Sequence, residues 1–149
     1  VAGGSGAFKK STWDKLGGMD TIFNPFYWED VDISYRAIKA GYRVVFEPKS
    51  TVWHYHEHGA IKTQFQKERV RRIVFRNQFI FIWKNLMDHS LWLAHLFWTP
   101  IRIIQELFKG DSAMFFGFIL ALGKIPQILR RRREYAHLWK RSDSQIAVF

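Results

Sequence analysis

Tyr27-Trp28-Glu29-Asp30-Val31-Asp32-Ile33-Ser34-Tyr35-Arg36 sets three carboxylates within four residues, directly after the loop Asn24-Pro25-Phe26. Acids gather at helix starts because the free backbone N–H groups and the helix dipole there stabilise negative charge. The stretch therefore predicts a helix N-terminus. Val31, Tyr35 and Ile38 follow at helical spacing, and Gly41 supplies a stop. Asp32 can pair with Arg36 one turn on. Glu29 and Asp30 are then left at the mouth of the helix, free to face a cleft. Taken alone, an acidic helix start is usually no more than a well-capped, solvated helix.

Upstream, Val1 to Lys9 reads as a short strand whose glycines allow close approach to the backbone. The run Gly3-Gly4-Ser5-Gly6 lacks the spacing and the Gly-Lys-Ser/Thr ending of a phosphate loop. Ser11-Thr12-Trp13-Asp14 predicts a second helix start, closed by Gly17-Gly18. The aromatic loop Phe23 to Trp28 suits either a sugar platform or ordinary core packing. Downstream, Arg43 to Glu47 and Thr51 to Tyr55 read as strands separated by Pro48. His54, His56 and His58 could share one face of the second strand and converge on a metal.

The order of these pieces resembles the C-terminal half of the catalytic domain of family 2 glycosyltransferases, particularly the rhamnosyltransferase-like members. The resemblance is carried by Gly3-Gly4-Ser5-Gly6-Ala7-Phe8, Gly17-Gly18-Met19-Asp20, Glu29-Asp30-Val31-Asp32-Ile33, Gly41-Tyr42, Pro48 and Val52-Trp53-His54. It covers residues 1 to about 58, with Met19 and Ile33 standing where Phe and Leu are usual. Arg76-Asn77 also recurs in that family at this place. The resemblance implies an α/β fold: the C-terminal part of a GT-A (Rossmann-like) domain over residues 1–59, followed by a mostly helical, membrane-associating region over 60–149.

It further implies an inverting transfer of a sugar from a nucleotide-sugar donor to a glycan or polyprenyl-linked acceptor. Asp30 would be the catalytic base, oriented by Glu29 or Asp32. Gly4, Ser5, Gly6 and Trp28 would line the donor-sugar side. His54 would be one ligand of a divalent cation, Mg or Mn, whose remaining ligands lie outside this sequence, because no Asp-x-Asp occurs in it. No Met opens the chain, so the reading expects an N-terminal nucleotide-binding half that this chain lacks, and expects the chain alone to be inactive.

Charge divides the chain at the same point. Residues 1–60 hold seven Lys/Arg and seven Asp/Glu, whereas residues 61–149 hold sixteen and six, so the whole net charge of +10 sits in the second part. There are no cysteines, which excludes disulfides and thiolate metal sites. Residues 60 to 87 predict one long helix, basic first and apolar later. Leu91 to Phe108 and Ala113 to Gly123 are apolar, but each is short or interrupted for a span of about 20 residues. They predict helices lying in the bilayer interface, with Trp92, Trp98 and Trp139 suited to that depth. Arg130-Arg131-Arg132-Arg133 suits an anionic membrane surface. No nucleic-acid motif surrounds the basic run. Joined to the resemblance, these features imply an enzyme of surface polysaccharide synthesis held at the cytoplasmic face of the cell membrane, peripheral or partly inserted. Two other classes compete: a basic membrane-surface or nucleic-acid binding module without catalysis, and a zinc hydrolase built on the histidine cluster.

Overall fold

The structure, a computed structural model, describes residues 3–53 and 64–146. Its described elements are helical: α1 (Lys10–Leu16), a single 3₁₀ turn (Thr21–Phe23), α2 (Glu29–Lys39), α3 (Lys67–Asn85), α4 (His89–Phe108), α5 (Ala113–Leu122), α6 (Ile125–Ala136) and the one-turn α7 (Asp143–Ile146).

This overturns the expected α/β, Rossmann-like architecture, since no strand forms among the described residues. Gly3 to Ser5 make a turn rather than a strand, and Arg43 to Pro48 run without any ladder. The physical reason is pairing. A strand exists only where a neighbouring strand takes its N–H and C=O groups, and no described segment offers such an edge. The β-branched run at Val44-Val45 therefore stays in irregular backbone, with Phe46 89 % and Trp53 85 % exposed.

Helix α3 is the axis of the molecule. Its closest neighbour is α5, where Ala113, Gly117 and Ala121 recur every four residues and are all buried. Small side chains on one face let two helix backbones approach. A Cβ built on Gly117 would sit 2.6 Å from Phe75 Cβ and 2.9 Å from the Arg76 nitrogen. The main apolar core gathers Ile22 and Phe23 from the 3₁₀ turn, Phe79 and Ile80 from α3, Ile103 from α4, Ala121 from α5 and Ile128 from α6. A second cluster of Leu16, Ile33, Ala37 and Ala40 joins α1 to α2.

Two local expectations change. Helix α1 starts at Lys10, one residue before the predicted cap, and Asp14 pairs with Lys10 at 2.5 Å instead of capping the helix. Helix α2 starts at Glu29 and stops before Gly41, which adopts φ 89, as its sequence predicts. Its buried face, however, is not the Val31-Tyr35-Ile38 stripe. Val31 is exposed, and the buried set includes Asp32, Arg36 and Lys39.

Candidate functional site at the start of helix α2

The three acids of the opening stretch separate into different environments. Asp32 is fully buried. Its carboxylate accepts from Arg36 Nε at 2.7 Å, from Asn85 Nδ2 at 2.7 Å and lies 2.7 Å from Lys84 Nζ. Arg36 donates in turn to the carbonyls of Leu16 and Gly18, tying the end of α1 to α2. A carboxylate so enclosed cannot reach a substrate. Asp32 holds the helix in place.

Asp30 is half-buried at the mouth, one residue into the helix. One oxygen accepts from the Val31 N–H at 2.7 Å, and the other accepts from the Gly3 N–H at 3.0 Å. The glycine turn is thus brought onto the helix start, and Gly4, Ser5 and Gly6 lie exposed beside it. Glu29, the first helical residue, has one carboxylate oxygen buried with no partner among the described residues. A carboxylate oxygen hidden from water without a donor is costly to keep, and here it borders Asp30.

The loop that leads into these acids is held under strain. Tyr27 and Trp28 both adopt left-handed backbone, at φ 68 and φ 77, and neither is glycine. Such residues cost on the order of 1–3 kcal/mol each and persist only when their surroundings fix them. Asn77, fully buried on α3, provides the fixing. Its Nδ2 donates to the carbonyls of Phe23 (2.7 Å), Phe26 (2.8 Å) and Tyr27 (2.9 Å). Arg76 donates to the Asn24 carbonyl and to the Asn77 side chain. Trp28 packs tilted on Phe81, with ring centroids 5.3 Å apart, and is half-buried. The Arg76-Asn77 pair is therefore the clamp on the loop that presents Glu29 and Asp30.

Beneath the site lies a charged core that the sequence did not announce. Lys84, fully buried on α3, bridges Asp20 at 2.9 Å and Asp32 at 2.7 Å. Arg131 reaches Asp20 at 3.2 Å from α6, and the Arg36 guanidinium lies over the Tyr135 ring. Burial pushes the Asp20 carboxyl up, but the charge and hydrogen bond of Lys84, the Ile22 N–H and Arg131 together hold it below its ordinary value. A second buried pair joins Lys39 to Asp143 at 2.6 Å. Asp143 also accepts from the Tyr35 hydroxyl, and burial with that carboxylate raises the Tyr35 phenol. Pattern reading could not have found Lys84 or Asp143, because their partners are 64 and 104 residues away in the chain.

The arginine run is also split by its helix. Arg131 is engaged with Asp20 and Glu134, and Arg132 donates to the carbonyls of Trp83 and Leu86 at the end of α3. Arg130 and Arg133 stay exposed.

Among the described residues no three His, Cys, Asp or Glu side chains converge as metal ligands. His54, His56 and His58, and with them the expected cation ligand and the zinc alternative, lie outside the described residues.

Comparison with protein-family models, with curated proteins and with solved structures found no match for the chain. Its functional reading therefore stands on the site and on the sequence pattern.

Proposed function

We propose that the chain supplies the acceptor-activating residues of an inverting glycosyltransferase that works at a membrane surface. The observation that carries this reading is the division of labour at the start of α2. Asp32 is consumed by the core, whereas Asp30 stays half-exposed with Glu29 and its unpartnered oxygen beside it, both presented by a strained loop and a buried clamp. Structural acids need no such presentation.

In the proposed reaction an acceptor hydroxyl, from a glycan or a polyprenyl-linked sugar, loses its proton to the free lone pairs of the Asp30 carboxylate. Its oxygen attacks the anomeric carbon of a nucleotide-sugar on the face opposite the leaving group. The new C–O bond forms as the bond to the nucleoside diphosphate breaks, and the configuration inverts. The Gly3 and Val31 N–H groups keep the Asp30 carboxylate oriented. Trp28 and the Gly4-Ser5-Gly6 backbone border the position of the donor sugar. The diphosphate leaves with negative charge that a divalent cation would stabilise as Lewis acid, and His54 is the proposed ligand from this chain.

Location at the cytoplasmic face of the membrane belongs to the same proposal. The outer surface of α4 and α5 is mostly hydrocarbon: Leu93, Leu96, Phe97, Phe108, Ile119 and Leu120 are all exposed, with Arg102 and Gln105 as exposed polar residues on α4. No single described helix is long and apolar enough to cross a bilayer, although the bent pair α5 and α6, at 68° to each other, meets that length and composition together. An interfacial placement satisfies both facts, and the net charge of +10 favours an anionic leaflet.

The test is transfer of radiolabelled sugar from nucleotide-sugar donors to lipid extract, using membranes of cells that express the chain joined to the nucleotide-binding half that this reading requires. Asp30→Asn is expected to lower turnover by about 10²–10⁴-fold, the usual worth of a general base, with the helical circular dichroism spectrum unchanged. Turnover near that of the parent would overturn the assignment. The exposed apolar face also favours a second reading, a non-catalytic membrane-surface module. That reading gains if the protein binds anionic vesicles while no donor yields transfer with any variant.

A further inference from the structure

A groove of about 710 Å³ opens between α3, α4, α5 and α6, and none of its lining residues belongs to α2. Its volume falls within the roughly 300–1,000 Å³ of small-molecule sites. Trp83, Trp92, Phe118 and Ile128 line it, and Ile128 is buried. Leu96, Leu122 and Leu129 also line it, and each is more than a third exposed. The rim is thus continuous with the hydrocarbon surface of α4 and α5, so the groove opens sideways onto the face proposed to meet the bilayer.

The polar atoms in the wall are turned to one another. Trp83 Nε1 donates to His95 Nε2 at 2.9 Å, which leaves the ring proton on Nδ1, 3.2 Å from Thr99 Oγ1. Trp92 Nε1 donates to the Leu86 carbonyl at 2.9 Å. Burial lowers the affinity of His95 for a second proton and keeps the ring neutral. A nucleotide or sugar would find almost nothing here to bond. A hydrocarbon chain would find aromatic and aliphatic walls.

One end differs. Arg132 is one of the lining residues, and its guanidinium caps carbonyls at the end of α3 and lies over Trp139. No carboxylate among the described residues is within ion-pair distance of it, and the charge of Asp143 acts on it from farther off. A half-buried cation whose counter-charge acts only from beyond ion-pair distance still favours a closer anion. A molecule that is hydrocarbon along its length and anionic at one end matches this layout.

We propose that the groove holds the hydrocarbon tail of a phosphate-headed, single-chain lipid drawn from the bilayer, with its headgroup against Arg132. This site is separate from the acids of α2, and the inference does not rest on the transfer reading. If the chain does transfer sugar, a lipid seated here would fix the enzyme at the depth where lipid-linked acceptors lie.

Native mass spectrometry of the full chain in non-ionic detergent tests the proposal, with stearoyl lysophosphatidate as the probe and monostearoylglycerol as its neutral counterpart. One lysophosphatidate per chain is expected, bound at least tenfold more tightly than the glyceride. Leu129→Trp fills the groove from an exposed position, so it should fold normally and weaken both lipids at least tenfold. Arg132→Gln should erase the preference for phosphate and keep the glyceride; if that variant does not fold, the parent's headgroup preference and Leu129→Trp still decide. Asp30→Asn should bind lipid as the parent does, which separates this result from any result on transfer. Absence of a saturable adduct, or adducts indifferent to Leu129→Trp, would overturn the site. Equal binding of the two lipids would overturn the headgroup assignment. A parent dimer that Leu129→Trp converts to lipid-free monomer would make the groove a self-association surface instead.

Discussion

The junction of α2 with α3 and the outer face of α4 and α5 invert the usual distribution of residues. At the junction Asp20, Asp32, Arg36, Lys39 and Lys84 are buried to within a few per cent of full enclosure. On the outer face Leu93, Phe97, Trp98 and Phe108 stand in the open. Buried charge survives only when paired, and exposed hydrocarbon in quantity marks a surface meant for another phase or partner. The contrast shows which region is held by matched charges and which awaits a contact. The charged junction fixes the acids of α2 on the helical body, and the apolar face gives that body a preferred neighbour.

The sharpest way to break this comparison is to unmatch the junction. Lys84→Met removes the cation shared by Asp20 and Asp32 and leaves two buried carboxylates short of a partner. Loss of one member of such a set costs about 3–5 kcal/mol, read as a drop in the urea midpoint. Adding Asp32→Asn to Lys84→Met should recover part of the loss, because the uncompensated charge disappears with it. An additive result would mean that the two groups are not coupled, against the 2.7 Å geometry. Acid should act on the same junction. Asp20 and Asp143 are both held below the ordinary 3.8 although burial alone would raise them, since Lys84 holds the first and Lys39 the second. A depressed folded pKa adds stability that is fully present above the unfolded value and fades as pH falls through the folded one. Thermal stability should therefore ease first below pH 6.5, where the unfolded chain protonates His95 and the folded one resists, and fall further below pH 3.8; Asp20→Asn should flatten only the second fall.

The clamp comes next. Asn77→Ala strips the hydrogen bonds from the carbonyls of Phe23, Phe26 and Tyr27, of which the first two belong to buried residues. A loss of about 2–3 kcal/mol is expected, from buried groups left unpaired. If the loop presents Asp30 as proposed, transfer should fall further than stability explains. Gly117→Ala probes the body without touching the site. Its new methyl would meet Phe75 and the α3 backbone at 2.6–3.0 Å. Overpacking of this kind costs about 1–3 kcal/mol, and because the close atoms include backbone, relief by a rotamer change is restricted.

How much of this was legible in the chain follows from the range of each interaction. The start of α2 at Glu29, its stop before Gly41 and the Asp32–Arg36 pair are local, and the sequence predicts all three. The strands were misread because β-branched residues state a preference, while a ladder also needs an edge, and none is present among the described residues. The inward face of α2 was misread for the opposite reason. Hydrophobic periodicity picks out Val31, and it cannot register a lysine 52 residues away that draws Asp32 inward. The arginine run reads as one basic patch, yet successive helical residues point about 100° apart. Arg131 and Arg132 accordingly turn inward to Asp20 and to the α3 carbonyls. Asn77 was visible only as part of a recurring dipeptide, with no hint of what it holds.

On the outer face, Phe97→Ser should leave the unfolding midpoint almost unchanged, since the side chain is 62 % exposed and supports no core. Its partition onto anionic vesicles should weaken by about tenfold, close to 1.4 kcal/mol, if that face contacts lipid. An unchanged partition would move the contact elsewhere on the surface.

The smallest effect is expected where charge is neither buried nor shared. Lys10 and Asp14 lie 2.5 Å apart on α1, as close as any pair in the junction, but their side chains are 83 % and 55 % exposed. Water screens both partners, and holding two mobile side chains together costs entropy that offsets the attraction. Asp14→Asn should therefore shift stability by less than about 0.5 kcal/mol. Set beside Lys84→Met, it separates distance from burial as the source of the junction's strength. If Asp14→Asn cost as much as Lys84→Met, proximity alone would govern these pairs, and the inside-out charge distribution would no longer explain what holds α2 to α3.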